Sequence, residues 1–550
     1  MNATLRATAA ILRADLLQRV RTPRFWIVVF ALGAFMWWCL PPADADYLTV
    51  SVGEHVRGRY SSAWIGLSMA LIYSPLLSLA GFYLVRGTVA RDLETRTWQL
   101  LVATTMSRHA YLVAKWLSHL AVFAATLLVG LGVALALQLL RAEDLHIDLV
   151  ELVKPVLLIT LPALALTAAL AVWFDLVPWL RRSAGNVLFF VVFIVLISVG
   201  VSQANRAPGA PPPFPGDFQG LVSAEYDVTH RWPAARSALE QITRDRAGLA
   251  AKAQSAGTQR AETAHEDATP GLSVGTQPLE GTPPVLAEWS HWNVRASLLA
   301  GRAFWLALAF VLLLSATPFL DRFAARAGTA SVARPRGASL RWLDSVFDRL
   351  LAPLQRGTAG TLLAAELRLT LRSRRWWWWP GMAIAGIVQL AAPDQGLVAG
   401  IIAAWLLCMD VFSRLVLREH ETRTAALVFT AAGMRSTLLW TRIAMATGLA
   451  CAVVLPAVLR LAVQHPSAAV ATLVVAMSVA LWALALGAVF RNPRPFELCL
   501  LVAGYISVQG ALVLDTLAAP MTTLAWHAAS IPVAVAVLLS AWRQGLAARA

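Results

Sequence analysis

The sequence predicts an all-α polytopic membrane protein: about twelve transmembrane helices, arranged as two parallel six-helix repeats, with one extracytoplasmic loop domain. Three observations lead there. The 550 residues are 58% apolar and only 14% charged, well below the quarter expected of a soluble globular chain. Apolar stretches long enough to cross a hydrocarbon core of about 30 Å recur along the whole length. One cytoplasmic-type loop sequence occurs twice, at equivalent places in the two halves.

The twelve stretches fall near residues 25 to 40, 64 to 86, 116 to 140, 154 to 174, 186 to 203, 299 to 320, 376 to 392, 396 to 414, 439 to 462, 468 to 490, 497 to 515 and 524 to 542. The first is not a cleaved signal segment, because Asp15 and five arginines precede it and no small-residue cleavage site follows. With the N-terminus inside, cytoplasmic segments hold 32 basic and 12 acidic residues, and the opposite side holds 14 basic and 19 acidic. The net charge of +15 is therefore an orientation signal, placing both termini in the cytoplasm of a multi-pass cell (inner) membrane protein. No nucleic-acid partner is needed to account for it.

Between the spans lie three kinds of segment. Residues 4 to 21 place Leu5, Ala9, Leu12, Leu16 and Val20 on one stripe, as in a helix lying at the inner interface. Residues 1–320 form a first six-span half, whose loop 204–298 opens on a proline cluster, continues through a predicted helix at 232 to 256 and becomes rich in Gly, Thr and Pro. Residues 321–360, with the amphipathic stretch from Trp342 to Leu354, read as a cytoplasmic linker. A second approach helix, Thr361 to Arg375, opens the second half, 361–550.

Shifting the chain by 327 residues lays RDLETRTWQLLVATTMSRHAYLVAK, from Arg91, on REHETRTAALVFTAAGMRSTLLWTR, from Arg418. Arg91, Glu94, Arg96, Thr97 and Arg108 fall on Arg418, Glu421, Arg423, Thr424 and Arg435, and Lys115 falls on Arg442. The approach segments repeat as well: Asp15 and Arg21 before Phe25 match Glu366 and Arg372 before Trp376, with an offset of 351. A Glu near the start of a short inner helix and Arg near its end suit the helix dipole and offer charged contacts to a soluble partner.

At these residues the chain resembles the type-2 ATP-binding-cassette (ABC-2 type) transporter permeases. Their inner loop reads Glu, Gly-Thr, Leu-Leu, then Pro-x-Ser or Arg, with Lys at the start of the third span. Glu94, Thr97, Leu100, Leu101, Ser107, Arg108 and Lys115 match that pattern, and Glu421, Thr424, Leu427, Arg435 and Arg442 match it more sparsely. Arg96 and Arg423 replace the usual Gly. The resemblance implies a permease subunit of an ATP-driven exporter, docking two copies of a separate ABC ATPase through the two loops. It implies no cofactor in this chain and ATP in the partner. In agreement, the three lysines (115, 154 and 252) follow Ala, Val and Ala, so no P-loop can be built and the chain is not itself an ATPase.

Two other function classes stay open on the residues. An ion-coupled twelve-span secondary transporter would need intramembrane charge, for which Asp410 with Arg414, Asp175, Glu497 and Asp515 are candidates near span ends, and Asp321-Arg322 is a faint loop signature. A membrane glycosyltransferase would use Asp44 and Asp46 of the first outer loop, but no second carboxylate pair or metal cluster accompanies them. Asp410 and Arg414, four residues apart, are expected to pair along one helix. Trp289 and His291 read as an interfacial belt. The apolar lining names no substrate.

Overall fold

The computed structural model describes residues 3–42, 45–53, 56–95, 97, 107–181, 183–206, 210–241, 244, 271–279, 284–320, 349, 352–355, 357–372, 374, 377–422, 424–430, 433–508 and 512–547. Asp44, Arg96, Asp321-Arg322, Trp342, Trp376 and Arg423, together with most of the 321–360 linker and of the expected helix beyond residue 241, lie outside the described residues. The chain divides into two units, one of residues 1–181 and 188–328, the other of 182–187 and 329–550.

In the first unit α1 (Ala3–Val20) turns 75° into α2 (Pro23–Cys39). Pro23 opens α2, where its missing N–H costs nothing. The long helices α3 (Ser62–Val85) and α5 (Arg108–Arg141) are separated by the short helix α4 (Thr88–Glu94). The fourth stretch is continuous from α6 (Leu149–Pro155) through a π turn (Val156–Thr160) into α7 (Leu161–Leu176), and the π turn accommodates the proline's missing donor. Gly66 of α3 lies where a Cβ would strike the Leu152 carbonyl, so α3 and α6 approach as closely as they do because that residue is glycine. α8 (Ser183–Arg206), which begins in the second unit, is followed by α9 (Leu221–His230) and α10 (Ala296–Ser315).

This unit also carries a four-stranded sheet of β1 (Tyr47–Val52), β2 (Val56–Gly58), β3 (Leu272–Pro278) and β4 (Val285–Ala287), in the order β3-β1-β2-β4. β1 pairs antiparallel with β2 and β3, with Val50 opposite Val274, while β2 and β4 run parallel. The loop between α2 and α3 is thus built into the same sheet as the far end of the 204–298 segment. Arg57 anchors it by donating to both oxygens of Glu143 at the end of α5, at 2.9 and 2.5 Å, and the Tyr60 N–H reaches the same carboxylate at 2.9 Å.

The second unit begins, after the linker, with α11 (Thr358–Arg372), followed by α12 (Trp378–Ala391), α13 (Asp394–Arg414), the single turns α14 (Arg418–Glu421) and α15 (Ala425–Val428), then α16 (Met434–Ala452) and α17 (Leu455–Gln464). α18 (Pro466–Phe490), α19 (Arg494–Val508) and α20 (Pro520–Ala547) complete it. Ala468, Ala471, Ala476 and Ala480 of α18 are fully or almost fully buried, small side chains that let its neighbours come close.

Each of the twelve predicted stretches contains helix among the described residues, though that near 497 to 515 is helical only as far as Val508. Among the described residues eight helices are long and apolar enough to cross a bilayer alone, or ten when α1–α2 and α16–α17 each count as one bent span. α12 and α19, of 14 and 15 residues, fall below the 18-residue length of that test. The expected Asp410–Arg414 pair is not what forms: both Asp410 oxygens are held by Arg374 at 2.8 Å. The tertiary partner reaches Asp410 from the end of α11, which helical spacing alone does not reveal.

Candidate functional site

Asp15 on α1, Asp92 on α4 and Lys115 on α5 lie far apart in sequence and meet at one ammonium group. Lys115 Nζ donates to Asp15 Oδ1 and Oδ2 at 3.0 and 2.8 Å and lies 2.8 Å from Asp92 Oδ2. The Tyr111 hydroxyl, one turn before Lys115, donates to Asp92 at 2.9 Å. Only 3% of the lysine side chain is exposed, so the attraction is little screened and each carboxylate needs the shared cation. Two of the ammonium's N–H donors are taken by Asp15, and the charge is shared with Asp92 at ion-pair distance.

The second unit builds the same cluster from the corresponding residues. Arg442 on α16 donates to Glu419 Oε2 at 2.7 Å, forms a second bond to Glu419 Oε1, and lies 3.4 Å from Glu366 Oε1 on α11. Arg442 is fully buried. Asp15, Asp92 and Lys115 correspond to Glu366, Glu419 and Arg442 under the two sequence offsets. In each unit, therefore, one buried cation, Lys115 on α5 or Arg442 on α16, ties the approach helix to the short helix that leads into the repeated loop.

The clusters differ in charge. Arg418 also pairs with Glu366 and donates to Thr370 Oγ1 at 3.0 Å, so two cations meet two carboxylates in the second unit. Its counterpart Arg91 is half-buried and makes no ion pair among the described residues, leaving one cation for two carboxylates in the first. What the first loop has instead is a cap. Gly87, at φ 101°, opens α4, and Asp175 at the end of α7 accepts from the N–H groups of Gly87 at 2.7 Å and Val89 at 3.2 Å. A carboxylate at a helix N-terminus satisfies orphan donors and opposes the dipole.

Just beyond the clusters the backbone repeats as well. Thr95 Oγ1 donates to the Arg91 carbonyl at 2.9 Å and lies 2.8 Å from Thr97 Oγ1; Thr422 Oγ1 donates to the Arg418 carbonyl at 2.8 Å and lies 2.8 Å from Thr424 Oγ1. These four threonines are exposed. Arg108 opens α5 and Arg435 lies in the first turn of α16, both exposed. Glu94 closes α4 and Glu421 closes α14. Of the residues singled out in the sequence, then, Thr97, Arg108, Thr424 and Arg435 lie on the surface, Arg91 and Arg418 are half-buried, and Lys115 and Arg442 are enclosed.

Asp92 and Glu419 were not singled out by sequence reasoning. Their signal was present: they occupy the same place in the repeat, but as Asp in one copy and Glu in the other, so a search for identities passes over them. Among the described residues no group of three His, Cys, Asp or Glu side chains could hold a metal ion.

Helices of membrane-spanning length, with a loop tied back to an approach helix in each unit, make this a multi-pass membrane protein. Residues 9–311 match the ABC-2 family transporter protein family, and the chain belongs to it: this is an ABC-type permease. No curated protein and no solved structure matches the chain.

Proposed function

We propose that this permease is the membrane subunit of an ATP-driven exporter in the cell (inner) membrane, its N- and C-termini cytoplasmic. Two copies of a separate ABC ATPase dock on the loops 91–115 and 418–442, one on each. The chain carries no catalytic site and no cofactor, and ATP is bound and hydrolysed in the partner. Arg91, Glu94, Arg96, Thr97 and Arg108 in the first loop, and Arg418, Glu421, Arg423, Thr424 and Arg435 in the second, supply the docking surface. Lys115 and Arg442 are positioning residues behind it.

The observation that supports this reading is the recurrence, in both units, of the buried cation with its two carboxylates and of the exposed threonine pair. A solvated loop has no need of a buried ionic anchor. A loop that receives force does, because a push on it reaches the approach helix and the third span only through contacts that resist being pulled apart. Movement of the ATPases on ATP binding would shift loop, approach helix and third span together, a rigid-body change of the kind that opens alternating pathways.

The test is affinity purification of the permease from membranes of its own host. The account predicts an ABC ATPase recovered with the wild type and lost with Glu94→Arg plus Glu421→Arg, with the permease still inserted. Substrate movement driven by a proton gradient with no ATPase attached contradicts it, and turnover of a lipid-linked sugar abolished by Asp44→Asn would contradict it in a different way.

A further inference from the structure

We infer that a cavity on the outer side of the first unit binds an aminoalkyl phosphate, a ligand carrying a primary ammonium and a phosphate oxyanion, presented as the head group of a phospholipid. The cavity, of about 360 Å3, lies between the end of α9 and the segment leading into α10, and is bordered by Asp227, Arg231, Trp232, Glu288, Trp289 and His291 among others. Its size is that of ordinary small-ligand sites, about 300–1,000 Å3.

The chemistry follows from what the lining leaves open. Trp289 is 6% exposed and its indole N–H has no acceptor among the described residues, although Trp232 donates to the Glu288 carbonyl at 2.8 Å and Trp292 to Asp227 Oδ2 at 3.2 Å. That nitrogen is itself buried and only backs the cavity wall, so the donor open to a bound oxyanion is the Arg231 guanidinium. Beside it Arg231, 40% exposed, spends one nitrogen on the Asn293 carbonyl at 3.0 Å and stands 3.6 Å from Asp227, whose charge is also met by Arg295 at 2.6 Å. The Glu288 side chain is exposed and has no cation among the described residues. The rim thus offers donors for an oxyanion and one uncompensated carboxylate for an ammonium.

Other ligand classes fit less well. Sugar rings and quaternary amines are held against open indole faces. Here Trp232, Trp289 and Trp292 are 3, 6 and 1% exposed, and Trp64, Trp232 and Trp289 pack on one another with ring centroids 4.9 to 6.3 Å apart. A purely anionic ligand would meet Glu288 unopposed. The lipid source is favoured by the neighbouring surface. Glu151 accepts from the Trp292 N–H at 3.1 Å and pairs with His291 at 2.5 Å, and the segment running into it exposes Leu145, Ile147, Leu149 and Val150 by 64, 40, 60 and 71%. That apolar fringe, beside a polar cavity, suits an acyl chain and its head group.

The experiment titrates full-length permease in phosphatidylglycerol nanodiscs with dihexanoyl-phosphatidylethanolamine, dihexanoyl-phosphatidylglycerol and O-phosphoethanolamine, reading saturable tryptophan fluorescence change. Expected is binding of the ethanolamine lipid about tenfold tighter than of the glycerol lipid, reduced about tenfold by Glu288→Gln or Arg231→Gln, exposed positions where neither change threatens folding. O-phosphoethanolamine binding as tightly as its lipid would overturn the lipid source. Equal affinity for both lipids, or no loss in either variant, would overturn the site. Neither outcome bears on ATPase docking, which is read by co-purification.

Discussion

The two repeated loops are the same device built with different means. Both are tied by a buried cation, Lys115 on α5 or Arg442 on α16, to an acid on the approach helix and an acid on the short helix. In the first loop the cation is Lys115, alone between two carboxylates, and stiffness comes from a seven-residue helix capped by Asp175. In the second the helix is a single turn of four residues and its order rests on a pair of arginines. Losing the cation therefore should not cost the two halves equally. The units differ further, since among the described residues the sheet and its Arg57–Glu143 anchor belong to the first unit alone.

The largest effect is expected from removing the central cations. Breaking a buried ion pair from one side typically costs about 3–5 kcal/mol. Lys115→Ala leaves Asp15 and Asp92 together with no cation, whereas Arg442→Ala leaves Glu366 still held by Arg418. The lysine variant should therefore lower the thermal unfolding midpoint in detergent more than the arginine variant. Equal midpoints would mean that the two clusters do not differ as their charge balance implies.

Next in size is Asp175→Asn, which weakens the cap of α4 and removes the charge facing Arg86 at 3.7 Å. A lost helix cap costs about 1 kcal/mol. Amide exchange over residues 87–95 should rise toward that of 415–422, and an unchanged rate would show that the cap is not what distinguishes the loops. Arg418→Ala should cost about 1–2 kcal/mol through its hydrogen bonds to Glu366 and Thr370. Arg91→Ala, at the equivalent position, should stay within about 0.5 kcal/mol. Comparable losses from both would erase the asymmetry.

The smallest effect is confined to the first unit and to acid. Burial alone would raise the Glu143 carboxyl, but the hydrogen bonds from Arg57 and the Tyr60 N–H and the charges of Arg57 and Arg59 outweigh it and hold the group below its ordinary value of 4.5. The stabilisation is thus complete above that value and is lost as pH falls through the lower folded one. Relative to an unstructured reference substrate in the same digest, pepsin should cut within residues 47–60 increasingly as pH drops from 4.5, and Glu143→Gln should make that ratio independent of pH in the same window. A wild type and variant that are cut alike would leave the anchor without a role.

Most of the architecture was legible because lipid imposes a long apolar signal on each spanning helix, and each of the twelve stretches contains helix among the described residues. The inner loops were legible because duplication printed the same residues twice. Asp92 and Glu419 were not, since the repeat preserves their charge and position but not their identity. The outer sheet was missed for another reason: β1 and β3 lie more than two hundred residues apart, and strands of three to seven residues give no periodicity that survives a Gly- and Pro-rich background. Asp410 shows the limit of local spacing, for its partner comes from another helix.

The central claim, that both loops are cytoplasmic docking surfaces joined to one ATPase each, is tested most directly with single cysteines at the exposed Thr97 and Thr424 positions. Thr97→Cys and Thr424→Cys, in a background in which Cys39, Cys408, Cys451 and Cys499 are replaced by Ser or Ala, would be treated in sealed right-side-out vesicles and then cross-linked in open membranes. The account predicts protection from an impermeant maleimide until the vesicles are opened, and then an adduct with one ATPase subunit at each position. Labelling from outside in intact vesicles, or the absence of any ATPase adduct at both positions, would contradict it.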